Sequence, residues 1–431
     1  MATIGNPEVS LPETRVGRYR WVVCGLLFAA TAINYIDRQM IGVLEPNYLR
    51  PEFHWTEGDY AHIVIYFQLA YAIGYLGFGK IVDWIGARAG YAIAVTIWTI
   101  AHVLHGGVGS ISQFTMARFG LGIGESGNFP AGVKAVTDWF PAKERALAIG
   151  WFNAGSNVGA IITPLIVPAI TIAFGWRMAF VMTGIFGVVW LVAWLALYRD
   201  PVKHKYVTAA ELAHIRQDPV DPEVQPKGLW GKLFTKRETW AYALGKFFID
   251  PIWWFYLFWL PKFLNHQYGL DLVHFGVPVA AIYLMSDVGS VAGGWMSSRM
   301  LRAGATPNRA RKLTMLICAI CILPIVSTQW IDGVWLNVLI IGLAAAGHQA
   351  FSANLYTLPS DLFPRYAVGS VIGIGGTVGA LGGMGFSYLV GKVLDQTGNY
   401  GVLFVIAGGA YFVALLAVQL LSPRLARAEL A

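Results

Sequence analysis

Residues 21–44 form one apolar run, and Asp37 and Arg38 stand side by side in its middle. A run of that length with no other charge reads as a membrane-spanning helix. Inside a bilayer each ionisable group costs roughly 2.5–3.5 kcal/mol on insertion scales, so the pair faces protein or a polar cavity, not lipid. The chain is thereby limited to a membrane bundle in which this helix turns a charged face inward. Comparable runs recur to the end of the sequence. Of its 431 residues only 13% are charged, about half the share in soluble proteins. The expected fold is all-α; a β-barrel would show short alternating strands instead. The first 20 residues are polar, and the run that follows is too long for the core of a cleavable signal.

Twelve spans are expected, in two six-helix halves. The first half, residues 1–198, places them at 19–44, 59–82, 89–109, 112–137, 145–170 and 176–198. The second half, residues 239–431, places them at 239–264, 274–298, 311–329, 333–358, 367–391 and 400–421. Residues 199–238 are polar and proline-rich, a cytoplasmic linker with one short helix around 208–217. Lys and Arg concentrate in alternate loops, which puts both termini and the linker in the cytoplasm. The sequence Asp138-Trp139-Phe140-Pro141, with Ile149-Gly150 downstream, returns as Asp361-Leu362-Phe363-Pro364 with Ile372-Gly373 at the same spacing. Matched motifs in matched halves suggest a transporter that rocks about a central site.

Between the second and third spans stands Gly79-Lys80-Ile81-Val82-Asp83-Trp84-Ile85-Gly86-Ala87-Arg88. It resembles the signature loop of the major facilitator superfamily at Gly79, Asp83, Gly86 and Arg88, and departs from it at Ala87. The glycines permit a tight turn and close helix approach. Asp83 can accept hydrogen bonds from a helix N-terminus or pair with Arg145, and either contact would favour one of two conformations. The corresponding stretch of the second half has serine in place of that aspartate, so the latch is expected to be stronger in the first half.

A narrower resemblance, to the anion:cation symporters, rests on three stretches. They are Asn34-Tyr35-Ile36-Asp37-Arg38, Arg118-Phe119-Gly120-Leu121-Gly122-Ile123-Gly124-Glu125 with Asn128-Phe129-Pro130, and Trp151-Phe152-Asn153-Ala154-Gly155-Ser156. Within that branch, Asp250-Pro251-Ile252-Trp253-Trp254-Phe255-Tyr256 with Trp259-Leu260-Pro261 is similar to the hexuronate transporters. The resemblance implies import of a sugar-acid anion, such as glucuronate or galacturonate, with protons. It also implies that the acidic residues of spans 1 and 4, Asp37 and Glu125, carry the proton coupling.

The residues themselves give a parallel reading. Arg118 and Glu125 are seven apart and share a helix face, with Gly122 between them. A basic partner stabilises an ionised glutamate and is released when the glutamate is protonated, so Arg118 is expected to tune Glu125 and Asp37. Arg38 offers the planar donor pair that suits a carboxylate. Asn34 and Tyr35 lie near it, and Tyr71 corresponds to a tyrosine that lines the site in similar transporters. Asn153 and Asn157 either meet a hydroxylated substrate or bond between helices. Lys246 either pairs with Asp250 or supplies a second positive charge. His348, Ser352 and Asn354 cluster on span 10. Asp287 also lies in a span and receives no role.

No GxxxxGK[ST] loop is present, so the expected energy source is a proton gradient, with no cofactor and no metal. No HExxH or GxSxG motif supports a membrane-embedded enzyme. An anion channel is the remaining rival class, and an aldonate, aldarate or other organic anion the alternative substrate. The CxxC at Cys318 and Cys321 lies on a membrane helix and is read as packing. The net charge of +7 follows the loops and does not signal nucleic acid. The expected partners are the substrate anion, protons and lipid. One chain is expected to suffice, in a bacterial inner membrane.

Overall fold

The computed structural model describes residues 16–55, 57–218, 228–268 and 276–430. Its helices are α1 (Tyr19–Leu44), α2 (Arg50–Phe53), α3 (Glu57–Leu104), α4 (Ile111–Glu125), α5 (Asn128–Trp139), α6 (Ala142–Phe174), α7 (Trp176–Leu197), α8 (Ala209–Ile215) and α9 (Leu229–Thr235). They continue as α10 (Arg237–Tyr268), α11 (Gly276–Arg302), α12 (Pro307–Ile322), α13 (Val334–Leu355), α14 (Leu358–Leu362), α15 (Val368–Thr397) and α16 (Gly401–Leu421). Among the described residues, eight helical stretches are long and apolar enough to cross a membrane, or nine if the two arms of α6, bent by 41°, are one span. Helix α10, which carries Lys246 and Asp250, falls outside this set. Part of the linker, 219–227, lies outside the described residues; α8 occupies the stretch where a short linker helix is expected.

Two departures from continuous helix shape the interior. The expected span 59–82 and most of the expected span 89–109 lie in α3, which is broken at Gly86 with φ 82° and ψ 164°. That left-handed backbone is open to glycine and strained for other residues. The expected span 112–137 is divided into α4 and α5 at Ser126 and Gly127, where the Ser126 hydroxyl donates to Ile123 O at 2.6 Å. The break leaves Glu125 fully buried on the last turn of α4. Glycine lets neighbouring helices come close: a Cβ at Gly122 would stand 2.6 Å from Phe67 O.

Helices α6 and α11 pack together, as do α3 and α15, and these contacts join the N-terminal set of helices to the C-terminal set. Both seams are glycine contacts. A Cβ at Gly150 would be 2.5 Å from Ser290 O, and one at Gly79 would be 2.6 Å from Gly369 O. Small residues let helix backbones touch in this way. Both described termini lie at one end of the bundle. Arg20 binds Glu144 at 2.9 Å and Glu211 at 3.3 Å, and Ala428 N donates to Leu362 O at 2.8 Å. We refer to this as the terminal end.

Candidate functional site

A cavity of about 50 Å³ lies between the two sets of helices. Its walls come from α1 (Tyr35, Arg38), α3 (Tyr71, Tyr75), α6 (Asn153), α10 (Lys246, Asp250, Trp253, Trp254) and α13 (His348, Gln349, Ser352). On that measure a water molecule needs about 10–15 Å³, so the cavity holds a few waters. An organic anion of about a dozen heavy atoms therefore enters only when the helices move apart.

Arg38 dominates one wall. Its Nε donates to Glu125 Oε2 at 2.8 Å and its Nη2 to Asn34 Oδ1 at 3.2 Å. Its guanidinium lies 4.8 Å from the Tyr35 ring centre and 4.7 Å from that of Tyr71, with Phe67 and Trp254 slightly farther. The aromatic faces attract the cation and exclude water, which strengthens the ion pair behind it. Lys246 forms the opposite wall. Its ammonium meets Asp250 Oδ1 at 2.6 Å and donates to Tyr356 OH at 2.8 Å. Beside it His348 stacks on Trp253 at 5.1 Å and pairs with Tyr411 OH at 2.6 Å.

Several residues singled out in the sequence take other places. Glu125 takes a hydrogen bond from Arg38, while the charge of Arg118 bears on both Glu125 and Asp37. Arg118 donates instead to the α1 carbonyls of Arg38, at 2.6 Å, and Asp37, at 3.4 Å. The seven-residue spacing does put Arg118 and Glu125 on one face of α4. That face packs across α1, and the side chains reach different atoms of it. Asn157 binds Asp287 Oδ1 at 2.8 Å and Ser286 Oγ at 3.3 Å, on the α6–α11 seam. Asn354 donates to Gly293 O at 3.1 Å and to Ala350 O. Asn34 buttresses Arg38. Asn157 and Asn354 therefore serve contacts between helices and Asn34 a contact within α1, and all three lie outside the cavity wall in this conformation. Asn153 reaches the cavity and hydrogen-bonds Gln349 across it. Asp37 is buried but absent from the cavity wall; it faces His102 of α3 at 3.3 Å. His102 and Tyr356 were not marked by the sequence. A lone histidine or aromatic in an apolar run carries no signal beyond packing.

At the terminal end the halves are joined by polar contacts. Asp83 accepts from Gly369 N at 2.9 Å and Ser370 N at 2.6 Å, in the first turn of α15. Those amides have no partner within their own helix, and a carboxylate there also meets the positive end of the helix dipole. Of the two alternatives for Asp83 the helix N-terminus is the one formed. Arg145 pairs with Asp218 of the linker at 2.7 Å and donates to Ser360 O at 3.1 Å. Arg88 donates to Leu195 O and Tyr198 O, within the first half. Arg311 bridges Asp361, at 2.9 Å, to Ala142 O, at 3.2 Å.

Known proteins bear on this geometry. The family model described as Major Facilitator Superfamily matches residues 27–387. The chain is 28% identical over 392 residues to the "Hexuronate transporter" of Escherichia coli (strain K12), covering 90% of each. It is 32% identical over 311 residues to the "Probable L-galactonate transporter" of the same strain, covering 72% of this chain and 68% of that one. In three dimensions it is similar to the proton:xylose symporter XylE, with a TM-score of 0.72 at 15% identity, over 92% of this chain and 94% of that one. At that identity the likeness speaks for the fold alone.

Proposed function

This chain belongs to the major facilitator superfamily, and from that premise we propose that it imports a sugar-acid monoanion together with protons, by alternating access. It is a transporter rather than an enzyme, and its cargo is a small organic anion. The observation that carries the finer reading is the buried Arg38–Glu125 pair at the cavity wall. In this state Glu125 occupies the Arg38 guanidinium. Protonation of Glu125 releases that guanidinium to take a carboxylate from the substrate. Proton and anion then bind together, and neither crosses efficiently alone.

Charge supports one carboxylate over two. Arg38 and Lys246 each have a carboxylate partner, Glu125 and Asp250, so the ionised set is neutral. One proton on Glu125 leaves one surplus positive charge, which matches a monoanion. A dianionic aldarate would leave a bare carboxylate in a dry site, at a cost of several kcal/mol. The tyrosines and tryptophans around the cavity suit the C–H faces and hydroxyls of a sugar ring. Hexuronate is the first choice, in keeping with the name of the Escherichia coli relative. An aldonate is second, since the galactonate relative points to a cargo that also carries one carboxylate.

The proposed arrangement is twelve spans in two halves, 1–198 and 239–431, joined by a cytoplasmic linker at 199–238. The terminal end faces the cytoplasm of a bacterial cell. Its locks, Asp83 on α15 and Arg145 on Ser360 O, must break for substrate release. A single chain contains the whole cavity and acts as a monomer. The test is binding to purified protein of glucuronate, galacturonate, galactonate, glucarate and glucose at two pH values. Tighter binding of the monoanions at the lower pH is expected. Preference for glucarate, or binding independent of pH, would overturn the reading.

A further inference from the structure

Asp37 is absent from the wall of the substrate cavity, and it meets a histidine that the transport cycle described above does not use. His102, wholly buried in α3, places Nε2 2.8 Å from Thr183 Oγ1 of α7 and 3.3 Å from Asp37 Oδ1 of α1. The local network assigns its neutral tautomer. The Thr183 hydroxyl already donates to Ala179 O at 2.8 Å, so toward the histidine its oxygen accepts. Nε2 therefore carries the hydrogen and Nδ1 a bare lone pair. Nδ1 has no hydrogen-bond partner among the described residues, and neither has Asp37 Oδ1: the 3.3 Å approach is an ion-pair distance without hydrogen-bond alignment. Buried polar atoms are nearly always paired, so a bare Nδ1 and a bare Oδ1 on two side chains that meet through Nε2 need a reason.

The surroundings bear on how that contact titrates. From α1 the group facing His102 is Asp37, and from α4 it is Arg118. From α7 come the neutral Thr183 and Phe180. On its own side stands His105, whose ring centre is 6.4 Å away. His105 Nδ1 faces Ala101 O at 2.7 Å and so carries its hydrogen there, leaving Nε2 without a partner. Glu125 acts on Asp37 from α4.

We propose that His102 holds the transported proton against Asp37, so that the proton site of the first helix is a His102–Asp37 pair rather than a lone carboxylate. A proton from water adds to the Nδ1 lone pair. The hydrogen on Nε2 stays in its bond to Thr183, and the Asp37 carboxylate, 3.3 Å from Nε2, balances the charge of the ring until the proton leaves Nδ1 for water again. No other atom is gained or lost. Thr183 positions the ring for this exchange. The inference rests on the proton-symport reading of the preceding section.

The test is the pH profile of gradient-driven substrate uptake in proteoliposomes, each variant normalised to its own maximum. His102→Gln keeps an N–H near the Nε2 position and cannot titrate. It is expected to move the midpoint of the profile by a pH unit or more. Asp37→Asn and the double variant should then share one profile, because the second change finds no pair left to break. A lowered maximum with an unmoved midpoint, or additive shifts in the double variant, would reduce His102 to a packing residue and overturn the proposal. If His102→Gln does not fold, Thr183→Val answers the same question by freeing the ring, with a shift expected and an unmoved midpoint overturning it. Wild-type uptake that ignores pH would instead overturn the symport reading itself, and is therefore measured first.

Discussion

Glu125→Gln separates the two jobs assigned to the Arg38–Glu125 pair. In the wild type both side chains are buried, and their contact is 2.8 Å. At an effective dielectric constant of 20, two unit charges at that distance attract by about 6 kcal/mol. Removing one partner of a buried pair costs about 3–5 kcal/mol after relaxation. Glutamine keeps the shape and one acceptor, so the substrate-free protein is expected to lose stability toward the lower end of that range. Substrate then restores part of the loss, because its carboxylate fills the position on Arg38. The glutamine also imitates the protonated glutamate permanently. Wild-type affinity should fall by up to tenfold per pH unit once Glu125 is ionised, since binding then requires uptake of one proton. The variant's affinity should stay flat. Trp253 and Trp254 line the cavity and offer a fluorescence signal for the titration. In proteoliposomes the variant should exchange substrate across the membrane without accumulating it against a pH gradient. A variant that keeps the wild-type slope of affinity against pH would refute Glu125 as the group that gates Arg38.

Three further outcomes are expected. Arg38→Lys keeps the charge but loses the fork that meets Glu125 and Asn34 together; loss of a charge-assisted bond worth about 1.5–3 kcal/mol should raise the dissociation constant roughly 10- to 150-fold, and unchanged binding would move the anion elsewhere. Gly79→Ala sets a Cβ against the backbone of Gly369, Ser370 and Gly373, atoms that cannot turn aside; the terminal end should spread, lengthening the distance between spin labels at Trp84 and Arg302, and an unaltered distance would contradict the seam described for α3 and α15. Outside the spans, burial works against an ionised Glu52, but the Trp176 N–H and the Arg177 guanidinium outweigh it and hold its carboxyl below the ordinary value of 4.5. Its stabilisation is therefore present above that pH and disappears as the pH falls through the lower folded-state value; the melting temperatures of wild type and Glu52→Gln should converge on acidification, and a gap that persists at pH 2 would show that the contact does not depend on charge.

The sequence made some of this legible and hid the rest for physical reasons. Asp37, Arg38 and Glu125 stood out because charge inside an apolar run is costly and must face something polar. The turn at Gly86 was readable because its motif concentrates glycine next to charge. Partner choice was not readable. Spacing along α4 fixes which face Arg118 and Glu125 share, but not which atoms of α1 lie opposite. Asn34, Asn157 and Asn354 show the same limit, since an amide suits a helix contact and a sugar hydroxyl equally well. His102 was silent because its meaning comes from Asp37 and Thr183, each more than sixty residues away in the chain. The eight or nine stretches that pass as spans on length and composition, against twelve expected, leave out helices such as α4 and α10. The break at Ser126 leaves α4 too short to pass.

The most direct measurement is uptake of labelled glucuronate or galacturonate into proteoliposomes with an alkaline interior, with internal pH followed by a trapped dye. Proton symport predicts accumulation above the external concentration, and acidification of the interior that begins on adding substrate and is absent with Glu125→Gln. Uptake that only equilibrates, with no proton movement tied to it, would contradict it.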